Sequence, residues 1–343
     1  MTSPKLKYLV KISSLIPGDI ILTSSKTLTS KSIRLSTMSE FSHVMLHIGD
    51  GSCMHADGDG VHPLNLQRLL LDEDNTAVVL RLKNPEKHQL AIAFACNYVQ
   101  IDTGKSYSKR EAVKSKILRN SQTKQRENRQ FCSRLVAQAY DLGGIRLVNN
   151  PDYCFPSDFV SSPLLEFVDE CIEAATDEQI EFATSDSPLD IQKAIFNEIM
   201  SFARNLFDTD IQNFHEIEAA LNIKKNAAIE KQLAIKIKET GFLDFGDIDV
   251  EKNPWRYNGI ILMEAINIDE STKLETAKRE LKLALSDIEK YTSMATHYTH
   301  RYHHTGFKYD EQMSELWKKM LFINTGRKIA AEYVINILSK KGI

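Results

Sequence analysis

The chain has 343 residues, 42% of them hydrophobic and 26% charged, with a formal net charge of −3. That composition belongs to a globular chain able to bury a sizeable core without disulfide staples, and the length suggests two domains more readily than one. It contains no run of about 18 apolar residues that could span a membrane, no Walker-type phosphate loop and no dinucleotide-binding glycine motif.

The modest net charge hides a split. Residues 1–165 hold 21 Lys+Arg against 15 Asp+Glu, while residues 166–343 hold 22 against 31. Such asymmetry predicts a domain boundary between about 165 and 185, and we place it so that 1–167 forms one domain and 168–343 the other. The five cysteines, at 53, 96, 132, 154 and 171, are odd in number and include no Cys-x-x-Cys pair. This predicts reduced thiols in a cytosolic setting, and no zinc site. The N-terminus is basic but has only a short apolar stretch before Lys11, so no secretory signal is expected. A cytoplasmic location follows; an effector delivered to another cell without a cleaved signal would share these features.

In chain order, Asp19 to Thr23 predicts a strand and His43 to Ile48 a second. Gly49-Asp50-Gly51 is a tight hairpin signal, with Ser52 to Ala56 as the return strand. Ala77 to Leu82 predicts a further strand. A helix starts near Asn84-Pro85 and runs to about Gln100, followed by another over Arg110 to Leu118. Ser121 to Asn128 is polar. Phe131 to Leu142 predicts a helix closed by Gly143-Gly144. Antiparallel strands with segregated helices define an α+β class. The second half reads as mostly helix: Pro188 to Leu206, Ile211 to Lys238, a broken stretch over Phe242 to Trp255, Ser271 to Tyr291 with Ser271 as cap, and one or two helices over Tyr309 to Ser339. It carries no repeat and no motif, so its role is open.

Cys132 is the most informative residue. It stands in Gln130-Phe131-Cys132-Ser133-Arg134, at the start of an apolar helix. A helix N-terminus favours thiolate over thiol, and an imidazole on a neighbouring strand can take the proton. The alternative is a buried structural cysteine. Far upstream lie His43, in Ser42-His43-Val44-Met45-Leu46-His47, and His55, in Met54-His55-Ala56. Strand alternation puts His43, Met45 and His47 on one face and Val44, Leu46 and Ile48 on the other. The second face is apolar core, so the histidine face is expected to look into something polar. His47 competes with His43 for the role of base. The hairpin lays His55 beside His43, where a third polar group would fix the imidazole tautomer; Asp57 competes for that place.

Several pieces, taken together, resemble one family. Pro17-Gly18-Asp19-Ile20, Ser42-His43-Val44 with Gly49-Asp50-Gly51, Gly60-Val61 with Leu69-Leu70, Gly104-Lys105-Ser106-Tyr107, Phe131-Cys132-Ser133 with Val136 and Tyr140, and Pro156-Ser157-Asp158-Phe159 with Ser162 occur in order. They are similar to the circularly permuted papain-like branch of the NlpC/P60 superfamily, most like YiiX/YebB-like cysteine hydrolases, with lecithin:retinol acyltransferase-like proteins as cousins. The order of His before Cys, reversed from papain-like enzymes, fits the permutation. The resemblance covers about residues 15–167.

It implies a permuted papain-like antiparallel sheet with packed helices over 1–167, with a helical domain of unknown role over 168–343. It also implies a cysteine hydrolase with Cys132 as nucleophile, His43 as base and His55 as its orienting partner, as in the acyltransferase-like cousins. Tyr107 would be a second oxyanion donor or substrate contact beside the Cys132 N–H, or else a tyrosine packed at a loop edge. The expected substrate is an amide in a peptide, lipopeptide or cell-wall fragment, and no cofactor or metal is required. Two other readings stay open: a lipid-directed thiol acyltransferase or phospholipase acting on an acyl lipid, and a catalytically silent binding module. The stretch from Lys105 to Arg134 carries ten Lys+Arg against Glu111 and Glu127. It is either a solvated surface or a rim that reads anionic groups. Few aromatics interleave with these charges, so nucleic acid is not expected. His297, His300 and His304 share one helical face, but the composition around them favours a polar helix end over a metal site.

Overall fold

In the computed structural model, residues 6–24, 41–124, 127–266 and 268–341 are described. The chain forms two compact units: one comprises 1–200 with 209–217, the other 201–208 with 218–343.

The first unit is built on a fully antiparallel six-stranded sheet. Its strands are β2 (Ile20–Thr23), β3 (His43–Gly49), β4 (Ser52–Asp57), β5 (Gly60–Asn65), β6 (Ala77–Leu82) and β7 (Leu165–Phe167), in the order β5-β4-β3-β2-β6-β7. The short strands β1 (Tyr8–Val10) and β8 (Ile172–Ala174) pair separately. β2 is central, and its continuous apolar run is buried throughout. Ile20 and Leu22 enter one apolar cluster and Ile21 the other. β3 does the same: Val44 and Leu46 join the first cluster and Met45 the second. The Met45 face is therefore also apolar core, and the polar surroundings expected for that face are confined to its histidines.

Helices α1 (Gln89–Ile101), α2 (Lys109–Leu118), α3 (Cys132–Leu142) and α4 (Pro156–Val160) follow. The helix expected from Asn84 starts later, because Pro85–Lys87 forms a 3₁₀ turn first. Cys132, Leu135, Val136, Ala139 and Tyr140 of α3 pack in the first cluster with Val44, Leu46 and Val99. The Pro17-Gly18-Asp19 turn is fixed from three sides. The Tyr140 hydroxyl donates to the Gly18 carbonyl over 2.5 Å, His47 N–H donates to the Asp19 carbonyl, and the buried Asp19 carboxylate receives Arg81 at 2.7 and 2.8 Å. Gly18 has φ +94°, and a Cβ there would lie 2.7 Å from Ile92 and 2.9 Å from the Tyr140 hydroxyl, so glycine is required twice over.

Residues 168–200 group with this unit. β8 pairs with β1, Arg68 donates to the Ser185 and Asp186 carbonyls beside α5 (Asp177–Thr184), and Lys193 of α6 (Pro188–Phe207) lies 3.1 Å from Asp59.

The second unit is helical. The helix expected over Ile211 to Lys238 is two, α7 (Phe214–Lys224) and α8 (Ala227–Glu239). Lys225 takes a positive φ between them, and the Asn226 side chain caps α8 by accepting from the N–H groups of Ala228 and Ile229. After α9 (Phe245–Lys252) and α10 (Gly259–Glu264) come two long helices, α11 (Glu270–Thr305) and α12 (Lys308–Lys340). Asp269, not Ser271, caps α11, accepting from the Thr272 N–H at 2.8 Å. Buried ion pairs tie the helices together: Arg327 to Glu280 at 2.6 Å and Arg301 to Asp310 at 2.9 Å.

Candidate active site

α3 begins at Cys132 because Phe131 is extended. The next two side chains anchor that first turn: Ser133 Oγ donates to the Cys154 carbonyl at 2.6 Å and Arg134 Nε to the Asp152 carbonyl at 2.8 Å. Cys132 is thereby held at the edge of the apolar cluster, 6% exposed. Burial pushes its thiol up to about 11, with the Asp57 charge acting the same way, while the backbone N–H groups of Val44, Ser133 and Cys132 itself favour the thiolate without prevailing. The helix N-terminus, expected to give a resting thiolate, is outweighed by desolvation.

His43 precedes Val44, so the strand that offers an N–H to the sulfur also carries the imidazole. Its Nε2 lies 2.8 Å from His55 Nδ1. Burial holds His43 down at about 4, partly offset by Asp57. His55 is also buried and is pushed well below the ordinary histidine range, first by burial and then by His43 and His62. His43 and His55 are therefore neutral imidazoles at rest, and Cys132 a neutral thiol. His47 lies elsewhere: Nδ1 bonds the Ile16 carbonyl at 2.9 Å and Nε2 accepts from the Gly51 N–H at 3.2 Å. Both ring nitrogens are committed to bracing turns, which removes it as a competing base.

Tyr107 comes to the site although 25 residues separate it from Cys132. Its segment lies parallel to Gln130, with the Ser108 N–H donating to the Gln130 carbonyl at 2.8 Å and the Gln130 N–H to the Ser106 carbonyl at 3.0 Å. Burial raises the Tyr107 hydroxyl, and the charges of Cys132 and Asp57 raise it further, so all three share one electrostatic neighbourhood. The preceding Gly104-Lys105 segment is zipped to β5: the Val61 N–H donates to the Lys105 carbonyl at 2.8 Å. Gly60, at φ +105°, permits this, since a Cβ would lie 2.5 Å from that carbonyl.

Sequence reading marked Gly60-Val61 as a motif but not as a strand, and so missed β5 and with it His62. Pro63 inside the segment argues against a strand, but β5 is an edge strand, where proline is tolerated. His62 pairs across from His55, with ring centroids 4.3 Å apart, and its Nε2 lies 2.9 Å from Asp57 Oδ1. Burial works against the Asp57 charge, but the His62 hydrogen bond pulls the carboxyl below the usual range. Asp57, the rival orienter, therefore bonds His62, while His55 holds His43. The histidines were the available signal: His55 and His62 flank the Gly58-Asp59 turn at equal offsets.

Of the described cations between Lys105 and Arg134, five are seen in ion pairs. Lys105 meets Asp102, Lys114 and Arg134 meet Glu111, Arg119 meets Asp158 and Arg129 meets Asp210. Arg134 is core, not rim. In the second unit, His297 Nε2 lies 3.0 Å from Glu218, a carboxylate partner that the local sequence did not offer.

The sheet, the helix-borne thiol and the paired histidines define a class, and the comparisons agree with it. Residues 14–153 match a family described as permuted papain-like amidase enzyme, YaeF/YiiX, C92 family. The likeness read from the motifs thus holds over this segment, and it supports a cysteine hydrolase in general terms. Over 109 residues the chain is 33% identical to the "Probable lipoprotein peptidase YaeF" of Escherichia coli (strain K12). That alignment covers 31% of this chain and 35% of the relative, so the chain spans about a third of the curated relative's length. No helix among the described residues is long and apolar enough to cross a membrane.

Proposed function

We propose that this protein is a cysteine hydrolase that cleaves an amide in a peptide, lipopeptide or cell-wall fragment, with Cys132 as nucleophile, His43 as base and His55 as its positioning partner. The observation that carries the reading is the 2.8 Å bond between His43 Nε2 and His55 Nδ1, set directly beside the strand N–H that meets the Cys132 sulfur. That bond leaves Nδ1 of His43 as the nitrogen free to take the thiol proton. Sulfur then adds to the substrate carbonyl, and the oxyanion is met by N–H groups at the start of α3. His43 returns its proton to the leaving amine, which departs, leaving a thioester on Cys132. A water deprotonated by His43 adds to the thioester and releases the acid and the thiol. Because both partners rest neutral, the proton moves as sulfur attacks, with no standing ion pair. The likeness to an Escherichia coli protein described as a probable lipoprotein peptidase supports a peptide-type substrate. The five free cysteines support a reducing compartment such as the cytoplasm.

Iodoacetamide at neutral pH with peptide mapping tests the assignment. Cys132 should be alkylated at least about tenfold faster than Cys53 or Cys96, and His43→Ala should erase that advantage. Equal rates at the three thiols would overturn it. A panel of amide-linked and ester-linked acyl substrates then separates peptide from lipid chemistry.

A further inference from the structure

His55, beyond its bond to His43, shares a second cluster with two residues that have no part in the proposed reaction. His55, Asp57 and His62 each present a donor atom within 4.8 Å of the other two. His55 and His62 are buried, at 6% and 8% exposure, and Asp57 is partly buried. The second observation is an orphan: His55 Nε2 is fully enclosed and has no hydrogen-bond partner among the described residues. Its other nitrogen is used by His43. A buried ring nitrogen without a partner is costly, and here it belongs to a residue clustered with a carboxylate and a second imidazole.

We propose that His55 Nε2, His62 and Asp57 bind a divalent transition metal ion of the zinc class, and that the ion turns the dyad off. Two imidazoles and a carboxylate are a donor set that such ions take, with a fourth position left to water. Bonds of about 2.1 Å place tetrahedral donors roughly 3.4 Å apart. The His62–Asp57 hydrogen bond of 2.9 Å would give way to the ion and widen to that spacing, and donors lying within 4.8 Å of one another would have to close by no more than about 1.4 Å.

The inhibitory consequence rests on the proposed roles of His43 and His55, and it follows from counting protons along one hydrogen bond. To accept from the thiol at Nδ1, neutral His43 must carry its proton on Nε2 and donate it to His55 Nδ1. Neutral His55 then carries its own proton on Nε2. A metal needs the lone pair at that same Nε2. Binding therefore moves the His55 proton to Nδ1, which donates to His43 Nε2 and leaves the His43 proton on Nδ1, facing the sulfur. The metal-bound and base-competent tautomers exclude each other.

The test uses zinc chloride and the full chain, by calorimetry and by the optical spectrum of cobalt as a zinc substitute. One ion should bind per chain, with affinity changed less than about threefold by Cys132→Ser and weakened about 30-fold or more by His62→Ala. Asp57→Asn, with circular dichroism on every variant, guards against a fold lost through one substitution. Zinc should also slow Cys132 alkylation at least about tenfold in the parent chain, and this slowing should vanish in His62→Ala. No stoichiometric binding, or binding that survives His62→Ala and Asp57→Asn but is lost in Cys132→Ser, would overturn the site. Should zinc bind as stated while Cys132 proves no more reactive than Cys96, the metal site stands and the catalytic reading falls.

Discussion

One turn of helix carries two buried clusters of opposite design. At its first residue stands Cys132, whose thiol is held neutral, and on the neighbouring strands His43 and His55 are held neutral too, with one nitrogen unpartnered. Two residues on, Arg134 faces Glu111 with both side chains fully enclosed, and the pair is charged and saturated. Arg134 donates to Glu111 at 3.2 Å and to the Asp152 and Arg129 carbonyls, and lies over the rings of Phe131 and Tyr153. Glu111 also receives the Tyr153 hydroxyl at 2.5 Å and the Lys114 ammonium. A saturated ion pair holds geometry; an under-bonded neutral cluster keeps its protons free to move. The contrast suggests that one anchors the helix so that the other can react.

The largest expected effect falls on the reactive cluster alone. Cys132→Ser should lower turnover of the best amide substrate by about a thousandfold or more while leaving the thermal midpoint nearly unchanged. A matching loss of stability would mean that the thiol is a packing element, and the division of labour would collapse. Arg134→Ala should do the converse. Removing one partner of a buried pair costs about 3 kcal/mol, or roughly 6–12 °C in the midpoint of the first unit. In the fraction that stays folded, the Cys132 alkylation rate should be unchanged. If it falls with stability intact, Arg134 belongs to the reactive cluster.

Acid probes the anchor separately. Burial disfavours the Glu111 carboxylate, but hydrogen bonds from Lys114, Tyr153 and Arg134 overcome it and hold the group at about 2, below its ordinary value of 4.5. A folded-state value below the unfolded one means stability that is present above about pH 4.5 and drains as pH falls toward 2. The drop should reach about 3 kcal/mol across that window, by denaturant titration at stepped pH. Glu111→Gln should flatten that limb; an unchanged slope would assign the acid loss to other carboxylates.

How much of this the sequence disclosed depended on range. The strands of the hairpin, the helix opening at Cys132 and the His43–His55 pairing were legible, because a turn signal and alternation fix them locally. β1, β7 and β8, three residues each, carry too little pattern to be seen. The partners of Arg134 and His297 were invisible for another reason: Glu111 lies 23 residues from Arg134, and Glu218 lies 79 from His297. Arg134 could not be told from the exposed cations of its stretch, such as Lys109, Arg110 and Lys116, because pairing across the fold leaves no periodic trace. His62 was hidden by a proline whose cost depends on the strand being at an edge, a fact of topology and not of the segment.

The smallest expected effect concerns Tyr107, which stands between the two designs. Its hydroxyl responds to Cys132 and Asp57 through charge, while its ring packs against the apolar cluster. Tyr107→Phe keeps the ring and deletes the hydroxyl. If the hydroxyl donates to the oxyanion, turnover should fall about tenfold or more with substrate affinity little changed, because the bond strengthens only as charge develops on the carbonyl oxygen. If the ring merely packs, turnover should stay within about twofold, and only Tyr107→Ala would cost stability, by about 3 kcal/mol. Measuring kcat and KM for the two variants beside their thermal midpoints therefore assigns Tyr107 to one cluster or the other. A Tyr107→Phe variant with unchanged kcat would leave the oxyanion to the backbone N–H groups of α3.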